Sequence, residues 1–149
     1  MTHTDLLARL ADLPGVERVA DGANGIRADA PFLDVDALAD ALPALGLRLG
    51  TITGIPLGPD GETAIIYHFV AHDRIVDVAT VTRNNAIASL APRLRPASWA
   101  EREIHDLFDV DFLGHPNLAP LMRPEGYATG MMRAPMCAAR RPAPPSNPE

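Results

Sequence analysis

Thr63-Ala64-Ile65-Ile66-Tyr67-His68-Phe69-Val70-Ala71-His72-Asp73-Arg74-Ile75-Val76-Asp77-Val78-Ala79-Thr80-Val81-Thr82 sets the architecture of the chain. It is rich in β-branched and aromatic residues, which suit a pleated, half-buried surface. The tight pair His72-Asp73 divides it into Thr63 to Ala71 and Ile75 to Thr82. In the second run Ile75, Asp77, Ala79 and Val81 alternate with Val76, Val78 and Thr80. Upstream, Gly58-Pro59-Asp60-Gly61 is a strong turn signal, and Leu47 to Leu57 before it reads as another strand. Three consecutive strands joined by short turns predict an antiparallel meander.

On the N-terminal side, Thr4 to Leu13 carries Leu6, Leu7 and Leu10 at helical spacing and is stopped by Pro14-Gly15. Val16 to Ala20 and Gly25 to Ala28 read as two short strands around Asp21-Gly22-Ala23-Asn24-Gly25. Asp34 to Leu45 predicts a helix with Asp34 as N-cap, a stripe of Val35, Leu38, Ala39 and Leu42, and Gly46 at the exit. Pro43 weakens its last turn. On the C-terminal side, Asn85 to Leu90 reads as a short helix ended by Pro92, and Ala97 to Asp109 as a stronger one. The order predicts an α+β fold, a mainly antiparallel sheet with helices packed on one face. The last 15 residues hold Pro135, Pro142, Pro144, Pro145 and Pro148, and Met136 is their only bulky apolar side chain. The expected division is a domain at 1–127 and a proline-rich, extended or disordered tail at 128–149.

Composition narrows the function. The 149 residues suit one domain with a real core. With 13 Lys plus Arg against 19 Asp plus Glu, the net charge of −6 lacks the broad basic footprint of a nucleic-acid binder. Apolar residues at 47% exclude a wholly disordered chain. The single Cys137 excludes a disulfide framework and any cysteine-based zinc or iron–sulfur site. No run of 18 apolar residues and no basic-then-apolar leader predict a soluble chain that neither spans a membrane nor carries a signal peptide.

The chemistry-bearing segment is Pro96-Ala97-Ser98-Trp99-Ala100-Glu101-Arg102-Glu103-Ile104-His105-Asp106-Leu107-Phe108. Ser98 three residues before Glu101 has the form of a capping box. Ala100, Ile104, Leu107 and Phe108 form the expected sheet-facing side, with Trp99, Arg102, Glu103 and Asp106 on another. Asp106, Asp109 and Asp111 crowd the C-terminal end, where cations are preferred; Arg123 or a partner subunit would have to compensate. The bland alternatives are a solvated charged face and an internal ion-pair network. An acid–base pair of Glu101 and Glu103 is excluded, since residues two apart on a helix diverge by about 200°.

The histidines point to no strong site. His68 and His72, four apart on a strand, would lie about 13 Å from each other, too far to share a metal. His105, Asp109 and His115 remain a minor metal alternative. Gly54 to Gly61 holds two prolines and precedes a strand, so it is no phosphate loop. After the helix, Phe112, Leu113, Leu118, Leu121, Met122 and Tyr127 give a turn-rich loop much apolar surface, which implies packing against something. No catalytic constellation emerges, but a docking surface does.

Trp99-x-Glu101-Arg102-Glu103-Ile104-x-Asp106-Leu107-Phe108, Phe112-x-Gly114-His115-Pro116-x-Leu118 and Pro124-Glu125 resemble the signature of the 30 kDa subunit family of respiratory complex I. That family includes the corresponding subunit of bacterial NADH-quinone oxidoreductase and the related subunit of energy-converting and formate-hydrogenlyase-type hydrogenases. Tyr67-His68-Phe69 and the elements before it extend the resemblance, which covers roughly residues 35 to 127. It implies a peripheral-arm subunit with no catalytic, cofactor-binding or metal-binding residue of its own. Iron–sulfur clusters, and flavin or nickel–iron, are then expected in partner subunits. The implied partners are a hydrogenase-like large subunit of the 49 kDa type and an iron–sulfur small subunit, on the cytoplasmic face of the inner membrane.

By resemblance, Glu101, Arg102, Glu103, Asp106 and His115 fix the loop and the subunit interface, with Trp99 and Arg123 beside them. Two positions depart from the family pattern. Ala119-Pro120 stand where a basic residue is common, and Asp109 where Gly is common after Asp-Leu-Phe; Asp tolerates left-handed geometry. These departures and the short chain tilt the expectation toward a hydrogenase-type complex. The rivals are a free-standing binding domain, with an unpaired acidic helix end and a mobile 112–127 loop, and a small enzyme using His105 or His115.

Overall fold

The computed structural model describes residues 2–59, 61–71 and 74–133. The expected turn at His72-Asp73, Asp60 of the earlier turn, Cys137 and the prolines from Pro135 onward lie outside the described residues. The chain runs α1 (His3–Ala11), β1 (Arg18–Gly22), β2 (Gly25–Asp29), α2 (Val35–Leu45), β3 (Arg48–Pro56), β4 (Thr63–Ala71), β5 (Arg74–Val81), β6 (Ala86–Ala88), α3 (Ala97–Phe108) and β7 (Asp111–Leu113). Five strands form one sheet in the order β1-β2-β5-β4-β3. The meander β3–β4–β5 and the β1–β2 hairpin are antiparallel, and β5 lies parallel to β2. The fold is α+β, as the meander predicts.

Alternation in β4 decides where the core lies. Thr63, Ile65, Tyr67, Phe69 and Ala71 are buried while Ala64, Ile66, His68 and Val70 are half-exposed. Val76 and Val78 of β5 join the buried side, and one cluster unites it with Leu6 and Leu10 of α1, Leu38, Leu42 and Leu45 of α2, and Ile104 of α3. Burial of each such side chain is worth about 1.5–3 kcal/mol, which orients the sheet. Asp34 caps α2 through a bond from Ala37 N, and Gly46 ends it at φ 63, a left-handed turn suited to glycine. Helix α2 continues through Pro43 to Leu45 because Leu42 and Leu45 are buried in that core. A Cβ at Gly54 would stand 3.0 Å from Ile104 and 3.1 Å from Phe108, so the absence of a side chain there lets α3 lie directly on β3.

Two local expectations are overturned. Asn85 to Leu90 is not a helix: Asn84 and Asn85 take left-handed φ values of 51 and 53, and Ala86–Ala88 pair in parallel with Asp111–Leu113. A partner more than twenty residues away outweighs the weak local preference. Nor does Ser98 form a capping box with Glu101. The cap position is Pro96 with no side-chain bond, and Ser98 lies inside the helix. The capping box of this chain is at α1, where Thr2 and Asp5 bond reciprocally.

Candidate functional site

Helix α3 and the chain that returns over it make the polar centre of the molecule. Glu101 shares the stripe of Ala97, Ile104 and Phe108 and is fully buried (0% exposed). Its carboxylate accepts Ser89 Oγ–H at 2.5 Å and Leu90 N–H at 2.7 Å. Burial is the largest influence and raises its pKa, although the bonds from Ser89 and Leu90 oppose the rise. His115 Nε2 lies 3.8 Å from Glu101 Oε2 and 3.2 Å from Ser98 Oγ. Its Nδ1 accepts Asn117 N–H at 2.9 Å, which places the neutral ring's proton on Nε2, facing Ser98 and Glu101. Burial lowers its pKa and favours that neutral form.

Asp106 is also fully buried, in a different way. One oxygen accepts three consecutive amides, Leu121 N and Met122 N at 2.8 Å and Arg123 N at 3.1 Å. Arg123 Nε stands 3.5 Å from the other oxygen, so the compensating cation is supplied from within the chain. Burial pushes the Asp106 carboxyl up, but the three amides and the Arg123 guanidinium outweigh it and hold the pKa below the usual range. Arg102, four residues before Asp106 on the same helix, does not pair with it. Arg102 donates instead to Ala119 O and Pro120 O, both at 2.9 Å. That contact reads backbone carbonyls and not the side chain at 119.

Together Arg102, Asp106 and His115 strap residues 115–123 onto α3. Asp109 ends the helix in the left-handed region at φ 57, as its tolerance allows. The polypeptide then crosses back: Gly130 N–H donates to Asp106 O, Met132 N–H to Leu107 O, and Arg133 to Phe108 O, Gly61 O, Thr63 Oγ1 and Asn85 Oδ1. Ser89, Asn85 and Arg133 have no prominence in the sequence. Their importance is set by what lies opposite them.

What remains outward is Trp99, 69% exposed, with Glu103 and Met122 also exposed. They border a shallow groove of about 340 Å³ with Gly50, Thr51, Pro96, Ala100 and Leu121. Of the seven residues expected at an interface, Trp99 and Glu103 are therefore at the surface, while Glu101, Asp106 and the His115 side chain are buried and shape the loop. Arg102 and Arg123 are partly buried in the strap. His105 Nδ1 bonds Val110 O at 2.8 Å. His105, Asp109 and His115 do not converge, and no group of three potential metal ligands occurs among the described residues. On the opposite sheet face His68 bridges Thr53 Oγ1 at 2.9 Å and Asp77 Oδ1 at 2.7 Å.

No described helix is long and apolar enough to cross a membrane. The chain resembles the C/D subunit of NADH-quinone oxidoreductase from Escherichia coli (strain K12 / DH10B), with 35% identity over 73 residues, 46% of this chain and 12% of that protein. The C/D subunit from Buchnera aphidicola is 29% identical over 79 residues, 50% of this chain and 13% of that protein. The chain thus spans about an eighth of the length of these curated relatives. Among solved structures, the trypsin-resistant fragment of Nqo5 superposes with a TM-score of 0.59 at 20% identity, covering 78% of this chain and 99% of the fragment. A chain of an archaeal respiratory membrane complex, the membrane-bound sulfane sulfur reductase, gives 0.60 at 19% identity, covering 75% and 71%. The fold is shared with both. The model of the respiratory-chain NADH dehydrogenase 30 kDa subunit matches residues 34–139, spanning α2, the meander and the whole strapped α3, and the chain belongs to that family.

Proposed function

We propose that this chain is a non-catalytic peripheral-arm subunit of a membrane-associated NADH-quinone oxidoreductase or a related nickel–iron hydrogenase complex. It docks through the Trp99 face on a hydrogenase-like large subunit, next to an iron–sulfur small subunit, and positions the electron-transfer module. Clusters, and flavin or nickel–iron, belong to those partners, and the assembly places the chain on the cytoplasmic face of the inner membrane. The observation that carries the reading is the exposed Trp99, on a helix whose inward carboxylates are committed to holding a loop. A large exposed indole beside a thioether is the usual chemistry of an interface anchor. In the curated relatives the matching stretch is part of a much longer chain, which supports work beside a larger polypeptide.

The test is to co-express the chain with the cognate large subunit and titrate the purified pair. Trp99→Ala is expected to weaken the complex about thirtyfold, while the free chain's unfolding free energy changes by no more than about 0.5 kcal/mol. Unchanged affinity, or recovery of this chain alone from mild-detergent membranes, overturns the reading.

A further inference from the structure

β3 is the outer strand of the five-stranded sheet: β4 pairs with one edge, and the other carries no strand among the described residues. One bond fixes which way its backbone groups point. Leu57 N–H donates to Glu62 O, in register with the pairs Pro56↔Thr63 and Ile55↔Ala64. Antiparallel ladders alternate bonded and non-bonded pairs, so Thr51, Thr53 and Ile55 aim their N–H and C=O groups at β4. Ile52 and Gly54 aim theirs outward, and neither has a backbone partner there among the described residues. Pro56 belongs to the same outward set, where a residue without an N–H costs the ladder nothing.

The devices that blunt a strand edge sit only at the ends of β3, with a register break at Gly50 and the proline at its last position. Gly50 and Thr51 also border the groove of Trp99, Glu103 and Met122. An exposed indole, a thioether and a carboxylate therefore border β3 at Gly50 and Thr51, immediately before Ile52, whose side chain is buried on the core face. Arg102, the cation nearest Glu103 in sequence, is committed to the carbonyls of Ala119 and Pro120. The groove thus presents net negative charge on a chain of net charge −6.

Resting on the docking reading above, we infer that the large partner supplies an extended segment that pairs with Ile52 and Gly54 as a sixth strand. It lays an apolar side chain against Trp99 and Met122 and turns a Lys or Arg toward Glu103. Main-chain bonds to a sheet edge supply affinity, and alternate side chains select the segment.

Amide hydrogen exchange at single-residue resolution, on the full chain free and bound to the co-expressed large subunit, tests this. The Ile52 and Gly54 amides are expected to slow by about a hundredfold on binding, while Thr53 and Ile55, already bonded to β4, change little. Glu103→Arg is expected to weaken the complex about tenfold, with the circular dichroism of the free chain unchanged. Unaltered exchange at Ile52 and Gly54, in a complex that Trp99→Ala still weakens, overturns strand addition and leaves the docking reading standing. Failure to form any complex overturns both. Protection of these amides in the free chain that grows with its concentration assigns the edge to a second copy, and also overturns the inference.

Discussion

Helix α3 carries two fully buried carboxylates five residues apart, and their surroundings push them in opposite directions. Glu101 faces the core, where burial prevails over the Ser89 hydroxyl and the amides of Leu90 and Ala91. Asp106 faces the returning loop, where three amides and a guanidinium prevail over burial. Each carboxylate has three neutral donors, so the outcomes are separated by the heavier desolvation of Glu101 and by the Arg123 charge beside Asp106. Glu101 ties α3 to the β6 segment; Asp106 gathers a turn of loop around itself.

The largest effect is expected at Asp106. Asp106→Ala leaves three loop amides without their acceptor and the Arg123 guanidinium without its counter-ion, and should lower the unfolding free energy in denaturant by about 3–5 kcal/mol. Exchange at Leu121, Met122 and Arg123 should accelerate with it. A loss under about 1 kcal/mol would break the comparison by showing that the loop holds itself.

Ser89→Ala comes next. It removes one neutral donor from Glu101, and chemical denaturation should register about 1–2 kcal/mol, since a buried acceptor loses one of its bonds. A cost equal to that of Asp106→Ala would mean that the Arg123 charge does not separate the sites.

The smallest change at neutral pH is expected from Glu101→Gln, which keeps the shape and an acceptor for Leu90 N. Its value lies in the pH profile. The folded-state pKa of Glu101 is raised, so its stabilising contribution is complete below its ordinary value of 4.5 and is lost as pH rises through the folded-state value. Relative to Glu101→Gln, the native chain should therefore lose stability on going upward from pH 4.5. Asp106 has a lowered pKa, so its contribution is complete above 3.8 and is lost as pH falls through the lower folded-state value. Denaturation midpoints of native, Glu101→Gln and Asp106→Asn chains across pH should show opposite slopes. Parallel slopes would remove the distinction.

Parts of the site were legible, and the helical wheel shows how far. Trp99 and Asp106, seven residues apart, do project from one side of α3, as the spacing predicts. One is exposed and the other buried because residues 121–123 cover Asp106 and leave Trp99 open. Glu101 stands in step with Ala97, Ile104 and Phe108, a signal of burial that the apparent capping box with Ser98 obscures. Nothing local marks Ser89 or Arg133, whose partners lie 12 and up to 75 residues away.

Residue pattern was enough to define the meander, the helices on either side of it, the Asp34 cap and Gly46 exit of α2, and the family signature on α3. These depend on alternation, helical spacing and turn chemistry, which act over a few residues and leave a direct trace. Long-range packing had to settle that 86–88 is a strand, that Glu101 and Asp106 are internal posts, and that one edge of β3 stays open beside Trp99. Each of those is set by which distant backbone groups arrive opposite a residue, and a buried polar atom takes its role from the partner it finds.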